Sequence, residues 1–133
     1  MSFPASQSLV RALQHSDREV LRSSLASTVV FNSPVATYRG RDDVVHLLVI
    51  IGDVVERLTV TGEFAAGSQT VTLVSGHVGQ DQVDGALVQV ANDDGLVARL
   101  TLMLRPLSGL LEGVDRMGQR LAAEPLPSEG GRQ

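Results

Sequence analysis

An α+β domain is what this sequence predicts, with a meander of antiparallel strands packed on one long helix. Three observations lead there. Apolar residues recur at helical spacing between Asp42 and Val55, alternate with polar ones from Arg57 to Arg105, and return to helical spacing after Pro106. The chain has 133 residues, enough for a single domain that buries roughly two thirds of its unfolded surface without a metal or disulfide.

The first element is a short helix, because Leu9, Val10 and Leu13 in SLVRALQ fall at helical spacing. A second short helix follows in HSDREVLRSSLAS, where Asp17 is suited to cap the first turn by accepting from a backbone N–H. The run from Thr28 to Phe31 is β-branched and aromatic and reads as a strand, ended by Asn32, Ser33 and Pro34. Next comes the long helix. Asp42 and Asp43 place negative charge at its first turn, and Val44, Leu47, Leu48, Ile51 and Val55 form a stripe. Val45, Val49 and Ile50 widen that stripe beyond one buried face, so a further element must cover them.

Four strands follow as a meander, with turns at Ala66 to Ser68, Gly79 to Asp81 and Asn92 to Gly95. A final hairpin centred on Asp93 and Asp94 predicts that Leu87 faces Leu100 and Gln89 faces Ala98, with Val88 opposite Arg99 and Val90 opposite Val97. Both sheet faces are then largely apolar, so the outer face is expected to be covered by a second subunit or a helix. After Pro106, Leu107, Leu110, Leu111, Val114, Met117 and Leu121 predict one more apolar helical stripe, to serve as lid, dimer element or core. The domain is expected to span residues 1–123, with 124–133 a frayed Pro/Gly/Ser-rich tail.

Several function classes drop out on composition. Cysteine is absent, which removes thiolate nucleophiles, Cys-ligated zinc and disulfides. The net charge is -4 and the basic residues are scattered without a patch, which argues against nucleic acid. No uninterrupted apolar run has the length of a membrane span or signal peptide, so a cytoplasmic protein without membrane contact is expected. All 11 basic residues are arginine, a bias typical of a GC-rich genome, hence a bacterial origin is expected.

The order helix, helix, strand, long helix and curved meander resembles the nuclear-transport-factor-2-like (NTF2-like) superfamily, a cone-shaped α+β fold in which the sheet wraps around the long helix. RALQHSDREVLRSSLASTVVFNSPV is similar to the family's opening, and YRGRDDVVHLL to its glycine-plus-helix continuation. The resemblance covers about Leu9 to Leu104 and includes ketosteroid isomerase, limonene-epoxide hydrolase and SnoaL-like cyclases. It implies a cone with an apolar interior. The isomerase chemistry does not carry over: the aspartate that moves the proton corresponds to Ser33, the oxyanion tyrosine to Leu9 and the protonated aspartate to Leu87. A serine hydroxyl is not a competent base unaided. The hydrolase's paired aspartates find no counterpart either, since Arg99 and Glu63 lie on strands but Asp81, Asp84, Asp93 and Asp94 fall at turns.

The histidines are read as structural. His46 is expected at solvent or an interface, His77 in a cross-strand surface pair with Asp84, and His15 at a helix junction. They lack ligand spacing, so neither metal nor cofactor is expected. Candidate pocket residues are Asn32, Ser33, Tyr38, Leu48, Leu87, Gln89, Leu100 and Leu102. The expected function is binding of a small apolar molecule by a homodimer paired through the outer sheet face. The alternatives are a small isomerase, hydrolase or cyclase with a non-standard site, and a structural or partner-binding dimeric module.

Overall fold

The computed structural model describes residues 5–130, with side chains from 9 to 129. Two helices open the chain, α1 (Ala5–His15) and α2 (Arg18–Ser24). Asp17 caps α2 by accepting from the Val20 N–H, as its position before the acidic first turn predicts. Strand β1 (Leu25–Asn32) follows directly and is longer than the β-branched run alone suggests.

A second strand, β2 (Thr37–Arg39), which the sequence pattern does not announce, precedes the long helix α3 (Arg41–Val54). It pairs antiparallel with β1, Phe31 opposite Tyr38. Gly40 then caps α3 at φ 94°, a conformation that glycine adopts without steric cost. The meander is β3 (Glu56–Ala66), β4 (Gln69–Val78), β5 (Asp81–Ala91) and β6 (Val97–Arg105), followed by α4 (Leu107–Ala123) and the helical turn α5 (Pro127–Gly130).

The strands form one curved, unclosed six-stranded sheet in the order β2-β1-β6-β5-β4-β3. It is mixed, because β1 runs parallel to β6 while every other pair is antiparallel. The β5/β6 register differs by two residues from the expected one: Leu87 faces Leu102 and Gln89 faces Leu100. The cause is the loop. The Asn92 side chain accepts from the Asp94 and Leu96 N–H groups, and a bulge at Ala91 lengthens the connection. A shift of two keeps Leu87, Gln89 and Leu100 on one face, whereas the bulge turns Val97, expected beside Arg99 on the other face, into the core.

Both flanks of α3 are buried, which answers the breadth of its apolar arc. Val44, Val45, Leu47 and Leu48 join Leu9, Leu13, Leu21, Leu25, Phe31 and Leu100 in the larger cluster. Ile50 and Val54 join Val55, Val78 and Val83 in a smaller one. Leu9, Leu21 and Leu25 are fully buried, each contributing about 1.5 to 3 kcal/mol relative to an exposed position.

The final helix departs from its predicted stripe. Gly109 and Gly113 are its buried residues, whereas Leu107 and Leu111 are 68% and 58% exposed. Gly109 packs so closely on β5 that a Cβ there would overlap Val83 Cγ1, so this glycine faces the sheet, while Met117 and Leu121 of the predicted stripe pack against both clusters. The expected fraying of the tail is also corrected for residues 124–130. Leu126 is buried in the larger cluster, Ser128 donates from N and Oγ to the Asp43 carboxylate at 3.0 and 2.6 Å, and His46 Nε2 donates to the Glu124 carbonyl at 2.7 Å. Residues 131–133 of that tail lie outside the described residues.

Candidate functional site

A cavity of about 260 Å³ lies between α3, the inner face of the sheet and α4. Helix α3 supplies Leu47, Ile51 and Val54, the strands supply Phe31, Val78, Leu102 and Leu104, and α4 supplies Leu110, Gly113, Val114, Met117, Gly118 and Leu121. The turn Ser33, Pro34 and Val35, together with Tyr38 on β2, completes the wall. Val35 and Val114 are also solvent-exposed, which places the mouth between that turn and α4.

Ser33 and Tyr38 are the only lining residues with a side-chain hydroxyl, and none carries a carboxylate, imidazole or cation. The Ser33 hydroxyl is committed to its own turn, donating to the Ala36 carbonyl at 2.8 Å and accepting from the Val35 and Ala36 N–H groups. Asn and Ser at such turns hold the backbone in this way. The Tyr38 ring packs tilted against Phe31 with centroids 6.4 Å apart, and its hydroxyl has no hydrogen-bond partner among the described residues.

Of the candidate residues, Ser33, Tyr38 and Leu102 line this cavity, and Asn32, Leu48, Leu87, Gln89 and Leu100 lie elsewhere. Leu48, Leu87 and Leu100 are packed into the core cluster. Gln89 is 2% exposed on the inner sheet face but away from the cavity wall. Asn32 is absorbed between strands, donating from Nδ2 to Thr101 Oγ1 at 3.3 Å and accepting from Thr37 Oγ1 at 3.0 Å. The residues that sequence reasoning missed are the α3 C-terminal set and the inward side of α4. The helical stripe carried Leu110, Met117 and Leu121, but Gly113 and Gly118 gave no sign of facing a cavity.

The histidines fall elsewhere. His46 anchors the tail, His15 ends α1, and His77 stands opposite Gln82 rather than Asp84, which pairs with Arg105 at 3.6 Å. Arg99 is exposed, in register with Val90 on the outer face. A polar crevice at the start of α3 holds Arg22, Arg39, Arg41, Asp42, Asp43 and Ser128. There Arg22 donates to Asp42 and holds that carboxyl below its usual range, chiefly through the hydrogen bond. Among the described residues no group of three or more His, Cys, Asp or Glu side chains is placed to hold a metal, and no helix is long and apolar enough to cross a membrane.

Comparison with solved structures agrees with this architecture. A steroid Δ-isomerase from Pseudomonas aeruginosa superposes with a TM-score of 0.83 at 28% identity, covering 93% of this chain and 96% of that one. The chain has the NTF2-like fold. An uncharacterised bacterial protein with a cystatin-like fold from Silicibacter pomeroyi DSS-3 gives a TM-score of 0.86 at 22% identity, over 90% of this chain and 86% of that one. An NTF2-like protein of unknown function from Mesorhizobium loti gives 0.70 at 18% identity, over 77% and 88%. No family model and no curated protein matches the sequence. Within the NTF2-like cone, the positions that resemble the isomerase's catalytic ones hold Ser33 in its turn and Leu9 and Leu87 in the packed core.

Proposed function

We propose that this NTF2-like chain binds a small, uncharged, apolar molecule in the cavity between α3 and α4, without catalysing a reaction on it. The observation that carries this reading is the lining: Leu, Val, Ile, Met, Phe and Gly, with no ionisable acid or base other than the Tyr38 phenol. Ligand sites are concave and mostly apolar with a few placed polar groups, whereas proton transfer needs a base within hydrogen-bond reach of the substrate. A thermal-shift screen with neutral hydrocarbons, ketones and alcohols tests it. Stabilisation that grows with ligand concentration is the expected result, and a flat response across the panel overturns it.

The likeness to a steroid Δ-isomerase favours a second, catalytic reading. Deuterium exchange at the α-carbon of a bound ketone, followed by NMR, separates the two. Exchange at the rate of the free ketone is expected, and an accelerated rate abolished by Tyr38→Phe would transfer the protein to the enzyme class.

The same proposal includes a homodimer paired through the outer sheet face. Register puts Phe64, Val71 and Val88 in one row and Leu73, Ala86 and Met103 in the next, with Phe64 63% and Met103 53% exposed. A two-fold axis lays such a patch on its own copy, and the Asp84 and Arg105 beside it offer both charges to a partner. Sedimentation analysis of wild type against Met103→Glu is the check, with a concentration-dependent dimer expected only for the former.

A further inference from the structure

We infer that the Tyr38 hydroxyl is the polar anchor of the cavity, selecting molecules with an apolar body and a single uncharged oxygen, a ketone or an alcohol, over both bare hydrocarbons and carboxylates. This rests on the binding role proposed above and deepens it.

Within the lining, the Ser33 hydroxyl is saturated by its turn, which leaves the Tyr38 hydroxyl as the one side-chain donor without a partner among the described residues. Tyr38 is half-buried and lines the cavity from β2, with its ring packed against Phe31. An aromatic body in apolar surroundings with its polar tip unspent orients a ligand by one bond. No cation lines the space, so a carboxylate drawn inside would lose its hydration without an ion-pair partner, a heavy penalty. Carbonyl and hydroxyl oxygens accept from the phenol and carry no such penalty. At about 260 Å³ the cavity lies just below the usual range of roughly 300 to 1,000 Å³ for ligand sites, which favours a compact apolar skeleton.

The experiment measures affinities of 2-adamantanone, adamantane and adamantane-1-carboxylate at neutral pH for the wild-type chain and for Tyr38→Phe, which keeps the ring. Fluorescent-probe displacement provides the affinity, and thermal unfolding without ligand confirms that the variant is folded. The expected result is that Tyr38→Phe weakens the ketone about three- to tenfold, the range of one neutral hydrogen bond, while the hydrocarbon is unaffected and the carboxylate binds to neither. If ketone and hydrocarbon bind both proteins alike, or the carboxylate binds as well as the ketone, the anchor role is overturned and the binding role stands. If none of the three binds the wild-type chain, the binding role falls and the anchor falls with it.

Discussion

The two ends of the α3 helix differ in how they are filled. Around its N-terminal half, Leu9, Leu21, Leu25, Leu48 and Leu100 are almost fully buried. At its C-terminal end the buried residues are mostly valines, Val54, Val55, Val78 and Val83, and the helix across from them presents Gly113 and Gly118. Valine and glycine are too short to reach across the gap between layers, so the cone is hollow where Val54, Val78, Gly113 and Gly118 meet, and the leucines beside them wall the space without filling it.

That contrast can be broken from either side, and the largest effect is expected at the packed end. Leu100→Ala removes a fully buried side chain from the filled cluster and should cost about 2 to 5 kcal/mol in urea unfolding. A loss below 1 kcal/mol would mean that the packed end is less filled than its geometry states. Next comes Gly109→Ala, whose new Cβ would overlap Val83 Cγ1. Overpacking of this kind costs about 1 to 3 kcal/mol, more than the helix propensity gained.

Gly118 faces open space, with no atom within 4 Å of a Cβ placed there, so the opposite sign is expected. Gly118→Ala should stabilise the protein by about 0.5 to 1 kcal/mol through helix propensity. Gly118→Leu should fill the cavity and abolish ligand-induced thermal shifts without loss of fold; retained binding would place the ligand elsewhere. The smallest effect concerns Arg22 and Asp42, both on the surface. Asp42 has its carboxyl held below 3.8 in the folded state by Arg22, so this pair stabilises the fold above that value and the contribution fades as pH falls through the lowered one. Arg22→Ala should flatten the acid limb of a stability-against-pH curve slightly, and high salt should do likewise.

What could be read in the sequence was local. The Asp17 cap, the stripe of α3, the period-two strands and their turns follow from neighbours a few residues apart, and each appears where its pattern lies. The turn at Asn32, Ser33 and Pro34 before α3 was legible in the same way, from its composition. Long-range contacts were not legible. The parallel pairing of β1 with β6, Phe31 beside Leu100, joins residues far apart in the chain and has no local signature. The β5/β6 register turned on the side-chain hydrogen bonds of Asn92, which lengthen a loop that its Asp-Asp-Gly composition reads as tight.

By itself the sequence determined the main helices and strands, their order and the apolar character of the interior, because residue type and spacing specify these directly. Tertiary structure alone decided that Gly109 is the point where α4 meets the sheet, because a glycine that looks like a helix-weakening residue becomes the closest approach once Val83 stands opposite. It also decided that residues 124–130 dock, since Leu126 gains its core partners and Ser128 its Asp43 carboxylate only after α3 and α4 are side by side. The hollow at the end of α3 belongs to the same class: its volume is set by gaps between side chains from distant segments, a property that no single stretch of chain contains.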